Sequence, residues 1–123
     1  MNAAKSCVAV VDDEVAVRTA LGRLLRLADY DVIAFASGEE FLAALDTRRP
    51  DCVVLDLHMP GLSGLEVQTQ MRARYIDLPA VFITASDDPA LIEAVRQGGG
   101  VRLLHKPFPN NDLIEALSAA LHA

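Results

Sequence analysis

The chain has 123 residues, 52% of them hydrophobic, two cysteines, and a formal net charge of −6 from 17 acids against 11 Lys and Arg. That length suits one domain, residues 1–123, able to bury roughly two-thirds of its unfolded surface. No apolar run approaches a membrane span, no signal-peptide pattern opens the chain, and no basic stretch offers a nucleic-acid footprint. The expectation is a cytoplasmic protein with no direct nucleic-acid contact. Arg48, Arg49, Arg72, Arg74, Arg96 and Arg102 read as solvated faces.

Cys7-Val-Ala-Val-Val11 is a continuous apolar run that stops at Asp12-Asp13-Glu14, the pattern of a strand buried on both faces. Val17, Ala20, Leu21, Leu24 and Ala28 then recur at helical spacing, predicting a helix from about Glu14 to Asp29. Asp31–Ala36 is a second strand. Ser37-Gly-Glu-Glu40 has the form of a capping box, in which each end satisfies a free backbone N–H. It opens a short helix carrying Phe41, Leu42 and Leu45.

The third strand, Asp51-Cys-Val-Val-Leu-Asp56, ends on one carboxylate, and Met59-Pro-Gly61 turns the chain almost at once. Ser63-Gly-Leu-Glu66 is a second capping box, with Val67 and Met71 on the buried side of its helix. Leu78–Thr84 is the fourth strand. Asp88-Pro89 starts a fourth helix, and Gly98-Gly-Gly100 ends it. Val101–His105 makes the fifth strand, broken by Lys106-Pro-Phe-Pro109. A last helix from about Asn111 places Leu113, Leu117, Ala120 and Leu121 inward. Cys7 and Cys52 both fall in strands; they read as buried free thiols, with spatial neighbourhood as the alternative.

Five strands alternating with five helices imply a doubly wound α/β fold with a parallel sheet covered on both sides. For this length the flavodoxin-like order 2-1-3-4-5 is expected, with right-handed crossovers. Strands one and three then lie side by side and leave a crevice at their carboxyl ends, where such sheets bind ligands. Asp12 and Asp13 close strand one and Asp56 closes strand three, so three carboxylates share the crevice. Clustered acids need a cation or retained protons, and hard oxygen ligands favour Mg²⁺, with Mn²⁺ in its place. The plainer alternative is helix and turn capping, by Asp13 for the first helix and by Asp56 for its turn. Thr84 and Lys106 close strands four and five on the same rim. A cation, a carboxylate, a hydroxyl and an ammonium converging on one point match a phosphoryl group, with Asp56 as nucleophile forming an acyl phosphate.

Val11-Asp-Asp-Glu14, Val54-Leu-Asp56, Met59-Pro-Gly61, Ile83-Thr-Ala85 and Lys106-Pro-Phe108 together resemble the receiver domain of two-component response regulators. The resemblance covers essentially the whole chain, in order and at the family's spacing. It implies that Asp56 accepts a phosphoryl group from a sensor histidine kinase. It further implies that Asp13 and Asp56 bind Mg²⁺ directly, Asp12 acts mostly through water, and the backbone carbonyl of His58 completes the set. Thr84 and Lys106 would contact phosphoryl oxygens, and the Lys106–Pro107 bond is often cis in the family. Asp56–Gln68 and Thr84–Asp88 look most like regulators carrying a LuxR-type helix-turn-helix output domain. The expectation is that such a domain follows Ala123 and makes any DNA contact; a stand-alone regulator is the alternative.

The family usually has Tyr or Phe three residues before the lysine, where this chain has Leu103. Glycines at 98 and 100 replace the usual alanines and loosen the turn there. Activation is therefore expected to use the backbone of Thr84–Asp88 more than a rotating side chain at Leu103. His58 and Ser86 flank the site and line its approach, while His105 and His122 read as ordinary surface or strand residues. The exposed sides of the first and last helices offer a face for a homodimer on phosphorylation. An aspartate-nucleophile phosphatase would carry a second acid where His58 stands, and an unphosphorylated pseudo-receiver would lack one of the acids or the lysine. A switch that promotes only its own phosphorylation and dephosphorylation, not an enzyme acting on other substrates, is the reading that follows.

Overall fold

The computed structural model describes residues 5–97 and 102–122. The apolar runs form five parallel strands, β1 (Cys7–Val11), β2 (Asp31–Phe35), β3 (Cys52–Asp56), β4 (Ala80–Thr84) and β5 (Arg102–His105). They pair in the expected order β2-β1-β3-β4-β5. Helices α1 (Val15–Leu27), α2 (Gly38–Ala44), α3 (Gly64–Ala73), α4 (Pro89–Gln97) and α5 (Asn110–Leu121) alternate with them. Successive strand side chains point to opposite faces, so each strand feeds two cores. Val8, Val10, Cys52, Val54, Val81 and Ile83 pack against Leu21 and Leu25 of α1 and Leu113 and Leu117 of α5. Ala9, Val11, Val53, Leu55 and Phe82 pack against α2, α3 and α4 through Phe41, Leu42, Val67, Met71 and Val95.

The same alternation settles the cysteines. Val8, not Cys7, pairs with Cys52, so the two thiols point into opposite layers and are not spatial neighbours. Both are buried and free. Burial pushes the Cys52 thiol up to about 11 and raises that of Cys7 as well, which leaves both protonated at neutral pH.

Element ends differ from the sequence pattern where local hydrogen bonding decides them. Helix α1 stops short of Asp29 because Asp29 adopts a left-handed φ of 73° while the Tyr30 N–H closes on the Leu25 carbonyl at 3.0 Å. Tyr75, at φ 58°, ends α3 the same way, with Ile76 N–H on Met71 O at 2.9 Å. Strand β4 begins at Ala80 and not at Leu78, and the Pro79 carbonyl accepts from Val53 N–H at 3.0 Å. The Gly98–Gly100 stop and Val101 lie outside the described residues.

The two capping boxes close differently. Ser63 and Glu66 exchange both bonds, at 3.2 and 3.0 Å. Ser37 accepts from Glu40 N–H at 3.1 Å, but the Glu40 carboxylate reaches past Ser37 to the Ala36 N–H, also at 3.1 Å. It thereby tethers α2 to the end of β2.

Candidate functional site

Parallel register sets Val11 of β1 against Leu55 of β3, so Asp12 and Asp56 leave the sheet side by side. Asp12 is fully buried, Asp56 is 4% exposed, and Asp13 beside them is open to solvent. One carboxylate oxygen from each of Asp12, Asp13 and Asp56 lies within 4.8 Å of the others. Two buried carboxylates and one solvated one make an oxygen-only donor set, which fits a hard divalent cation.

The capping alternatives are resolved atom by atom. Glu14 is the N-cap of α1 and gives it no side-chain cap, and it is Asp12 Oδ1, not Asp13, that takes the Glu14 N–H at 2.9 Å. Among the described residues, Asp13 makes no hydrogen bond to α1, which leaves its carboxylate free for a cation. Asp56 divides its oxygens. Oδ1 accepts the His58 N–H at 3.0 Å and so holds the turn, while Oδ2 faces Lys106 Nζ at 3.4 Å.

Lys106 Nζ also lies 3.2 Å from Asp12 Oδ2, so one ammonium spans both buried carboxylates. Burial raises the Asp56 carboxyl above the ordinary carboxylate range, and the Asp12 charge adds to this. The His58 N–H and Lys106 oppose the rise without cancelling it. For Lys106, burial works to lower the ammonium, but the facing Asp56 and Asp12 carboxylates more than reverse that and hold it above its usual value. The acids are thus short of positive charge, and the lysine is firmly cationic.

Thr84 ends β4 fully buried. Its Oγ accepts from Ser86 N–H at 3.0 Å, leaving the hydroxyl hydrogen to donate elsewhere. Two further bonds continue toward α4: Asp88 N–H to Ser86 Oγ at 3.1 Å, then Ala90 N–H to Asp88 Oδ1 at 3.0 Å. Thr84 O accepts from Lys106 N–H at 2.7 Å, and the Lys106–Pro107 peptide is cis. Leu103 is half-buried beside Phe82 in the layer that holds Leu91 and Val95. His58 and His122 are exposed, and Ser86 is half-buried.

Three contributors were not legible in the sequence. Arg18 Nη1 donates to the Asp12 main-chain carbonyl at 2.7 Å and braces the acidic loop from α1. The helical pattern marks Arg18 only as a polar position. His105, read as an ordinary strand residue, has Nε2 at 2.8 Å from Asp87 Oδ1 and ties the end of β5 to the β4–α4 loop. Gly64 lets α3 start against the strand end, since a Cβ there would stand 2.6 Å from the Asp56 carbonyl oxygen. Its place next to Ser63 is the one visible hint of that close approach.

The response regulator receiver domain family matches residues 8–118. Nodulation protein W of Bradyrhizobium diazoefficiens is 38% identical over 116 residues, 94% of this chain and 51% of that protein. The transcriptional regulatory protein TdiR of Thauera aromatica is 40% identical over 116 residues, again 94% and 51%. A response regulator receiver protein from Burkholderia phymatum superposes with a TM-score of 0.85 at 40% identity, covering 96% of each chain. The chain spans about half the length of the curated relatives it matches. With the strand order, the rim and these relatives in agreement, the chain belongs to the response regulator receiver domain family, the signalling switch of two-component systems.

Proposed function

We propose that Asp56 is the phosphoacceptor of this switch, taking a phosphoryl group from a phosphohistidine of a sensor histidine kinase. The observation that carries the reading is the division of the Asp56 carboxylate: one oxygen is fixed by the His58 N–H, the other is aimed at Lys106. A nucleophile held at both oxygens loses little further freedom in reaching its reactive geometry. Its oxygen attacks phosphorus as the P–N bond to the kinase imidazole breaks, and the imidazole leaves as the neutral ring once protonated. Lys106 meets the negative charge of the phosphoryl oxygens, and the Thr84 hydroxyl donates its free hydrogen to one of them. Mg²⁺, or Mn²⁺ in its place, would be held by Asp13 and Asp56 directly, by Asp12 mostly through water, and by the His58 main-chain carbonyl. When bound, it supplies the remaining positive charge between the carboxylates and the transferring group. Water attack on phosphorus later breaks the bond to the Asp56 oxygen, releasing inorganic phosphate and restoring the carboxylate, so the domain promotes only its own phosphorylation and dephosphorylation.

The signal is read to leave through Thr84, the β4–α4 loop and Leu103. The run of bonds from Thr84 Oγ through Ser86 to Asp88 and Ala90 supports a backbone route into α4. Comparison of free and phosphorylated structures tests it: an unmoved α4 with a flipped Leu103 would overturn it. Residues 1–123 are read as one receiver domain whose native chain continues into an output domain of the LuxR type, which would make any DNA contact. The half-length match to a relative named as a transcriptional regulatory protein supports an output domain, whose LuxR type rests on the sequence resemblance alone. No helix of the described residues is long and apolar enough to cross a membrane, and a cytoplasmic location accords with that. A homodimer formed on phosphorylation is a further expectation, read by sizing before and after phosphorylation.

Incubation with acetyl phosphate and Mg²⁺ followed by intact mass tests the phosphoacceptor directly. Wild type should gain one phosphoryl group and Asp56→Asn none. The same gain in both proteins sinks the assignment.

A further inference from the structure

The chain is acidic overall, with a formal net charge of −6, yet its basic residues are not spread evenly over the surface. Arg18, Arg23 and Arg26 of α1 line a groove of about 290 Å³ that reaches Ala34 of β2. Arg26, with Lys5 and Arg48, lines a second groove of about 430 Å³ that runs past Asp31, Val32 and Ile33 of the same strand. Arg26 borders both, so the two grooves lie end to end along β2 and together make its basic flank, a two-part channel. No run of sequence contains this cluster; the topology assembles it from three segments.

Two further observations point to an occupant. Among the described residues, Arg18, Arg23, Arg26 and Arg48 make no ion pair, although acids outnumber bases 17 to 11; Lys5 alone is paired, with Asp29 at 3.3 Å. Arg18 also donates to the Asp12 carbonyl and Arg48 to Cys7 Sγ at 3.7 Å, but neither partner is an anion, so four guanidinium charges along the channel stay unneutralised and are relieved by an external anion. The second observation is the strand itself. β2 is an edge of the sheet. Asp31 N–H and Phe35 O are turned inward, to Ser6 O at 3.0 Å and from Asp12 N–H at 3.2 Å. By alternation, the main-chain groups of Val32 and Ala34 face outward, and among the described residues nothing bonds to them across the open edge. Charged flanks commonly protect such an edge from pairing with other strands. Protection needs no groove, however, and these flanks leave the main chain accessible along one.

We propose that the β2 edge is a docking site for an acidic, extended segment of a partner protein. The segment adds as a sixth strand, its main chain bonding to Val32 and Ala34 and its carboxylates meeting Arg18, Arg23, Arg26 and Arg48. Asp31, the acid lining this channel, sets the register by repelling a carboxylate placed beside it. The site lies apart from the phosphoacceptor and does not depend on that assignment.

The probe is a blocked peptide of alternating glutamate and valine, titrated at low salt into isotope-labelled protein. The amides of Val32 and Ala34 should shift and exchange more slowly with solvent. The surface double variant Arg23→Glu with Arg26→Glu should bind about tenfold or more weakly. Two further probes of the same sequence are N-methylated on alternate residues, one in each register. Each keeps a single strand edge able to pair, and the register whose methyl groups face β2 when its carboxylates meet the arginines should bind more weakly. Three results overturn the proposal: equal binding of a lysine–valine peptide, undiminished binding by the double variant, or undiminished binding of both N-methylated registers. Tighter binding of single-stranded oligonucleotide than of the acidic peptide overturns it as well, because the channel would then be a general polyanion surface.

Discussion

The centre of the sheet and its β5 edge are built to different standards. β1, β3 and β4 are buried along their whole length, and the polar groups that end them are buried as well. β5 is only half-buried and ends on an exposed residue, and it meets the β4–α4 loop through a partly exposed His105–Asp87 pair. Charges at the β1–β3 junction are therefore fixed by packing and by N–H groups, whereas contacts on the β4–β5 side hang on short polar side chains at the surface. Buried groups of this kind are costly to disturb, and exposed pairs are cheap. The buried carboxylates sit on the stiff half, and the region proposed to report on Asp56 sits, with Lys106, on the yielding half.

The sharpest way to break this contrast is Gly64→Ala. Its Cβ would meet the Asp56 carbonyl, which is backbone and cannot step aside, so we expect a loss of about 2–3 kcal/mol, the range of an overpacked core site. Urea unfolding measures it, and a loss below 0.5 kcal/mol, on the order of an ordinary surface change, would show the strand end to be pliant. Lys106→Met comes next. It leaves two buried carboxylates without their shared ammonium, and a stability loss of about 1–3 kcal/mol at neutral pH is expected. The Lys106 contribution is present while the carboxylates it faces are charged; it fades as pH rises through its raised native value, and also in acid as Asp56 takes up its proton. Wild type and variant should therefore differ most near neutral pH and converge both in strongly alkaline solution and in acid.

Asp56→Asn should act in the opposite direction. Because the native carboxyl is raised, the folded state holds its proton longer than the unfolded chain does. Stability from this group falls as pH climbs from about 3.9, the unfolded value, through the raised native value. The amide removes that penalty, so the metal-free variant should gain about 1 kcal/mol at neutral pH, as when a buried ion cluster is neutralised. Thermal melts across pH should show the gain vanishing in acid; a gain that is constant with pH would assign it to packing. The smallest effect belongs to the yielding half. His105→Ala removes a partly exposed pair and should cost no more than about 0.5 kcal/mol. A loss as large as that of Gly64→Ala would erase the distinction between the halves.

Much of this was legible in the residues because the signals were redundant. Continuous apolar runs, a carboxylate, hydroxyl or ammonium closing four of the five strands and turn residues after them, taken with the common strand order for this length, are enough to bring Asp12, Asp13, Asp56, Thr84 and Lys106 to one rim. What the pattern could not carry were contacts made by residues whose type serves many purposes. Arg18 on the Asp12 carbonyl, Glu40 on Ala36 in place of Ser37, and His105 on Asp87 each depend on which rotamer a polar side chain adopts. The cysteines turned on parity: a shift of one in register would have put both thiols in the same layer. The basic channel escaped notice because charge counted along a chain is blind to segments that meet only in space.

Lys106 is anchored twice, by its N–H to the Thr84 carbonyl and by its ammonium to Asp12 and Asp56. One residue thus works as a tie-rod across four strands, with its fixed end on the strand that carries Thr84. If Asp56 takes the phosphoryl group as proposed, the added negative charge would draw the free end of the rod further toward it, while the other end stays bonded to β4. Such tension would pull the ends of β4 and β5 toward β3. It would give the loop beyond Thr84 a mechanical reason to move even with no aromatic ring at position 103.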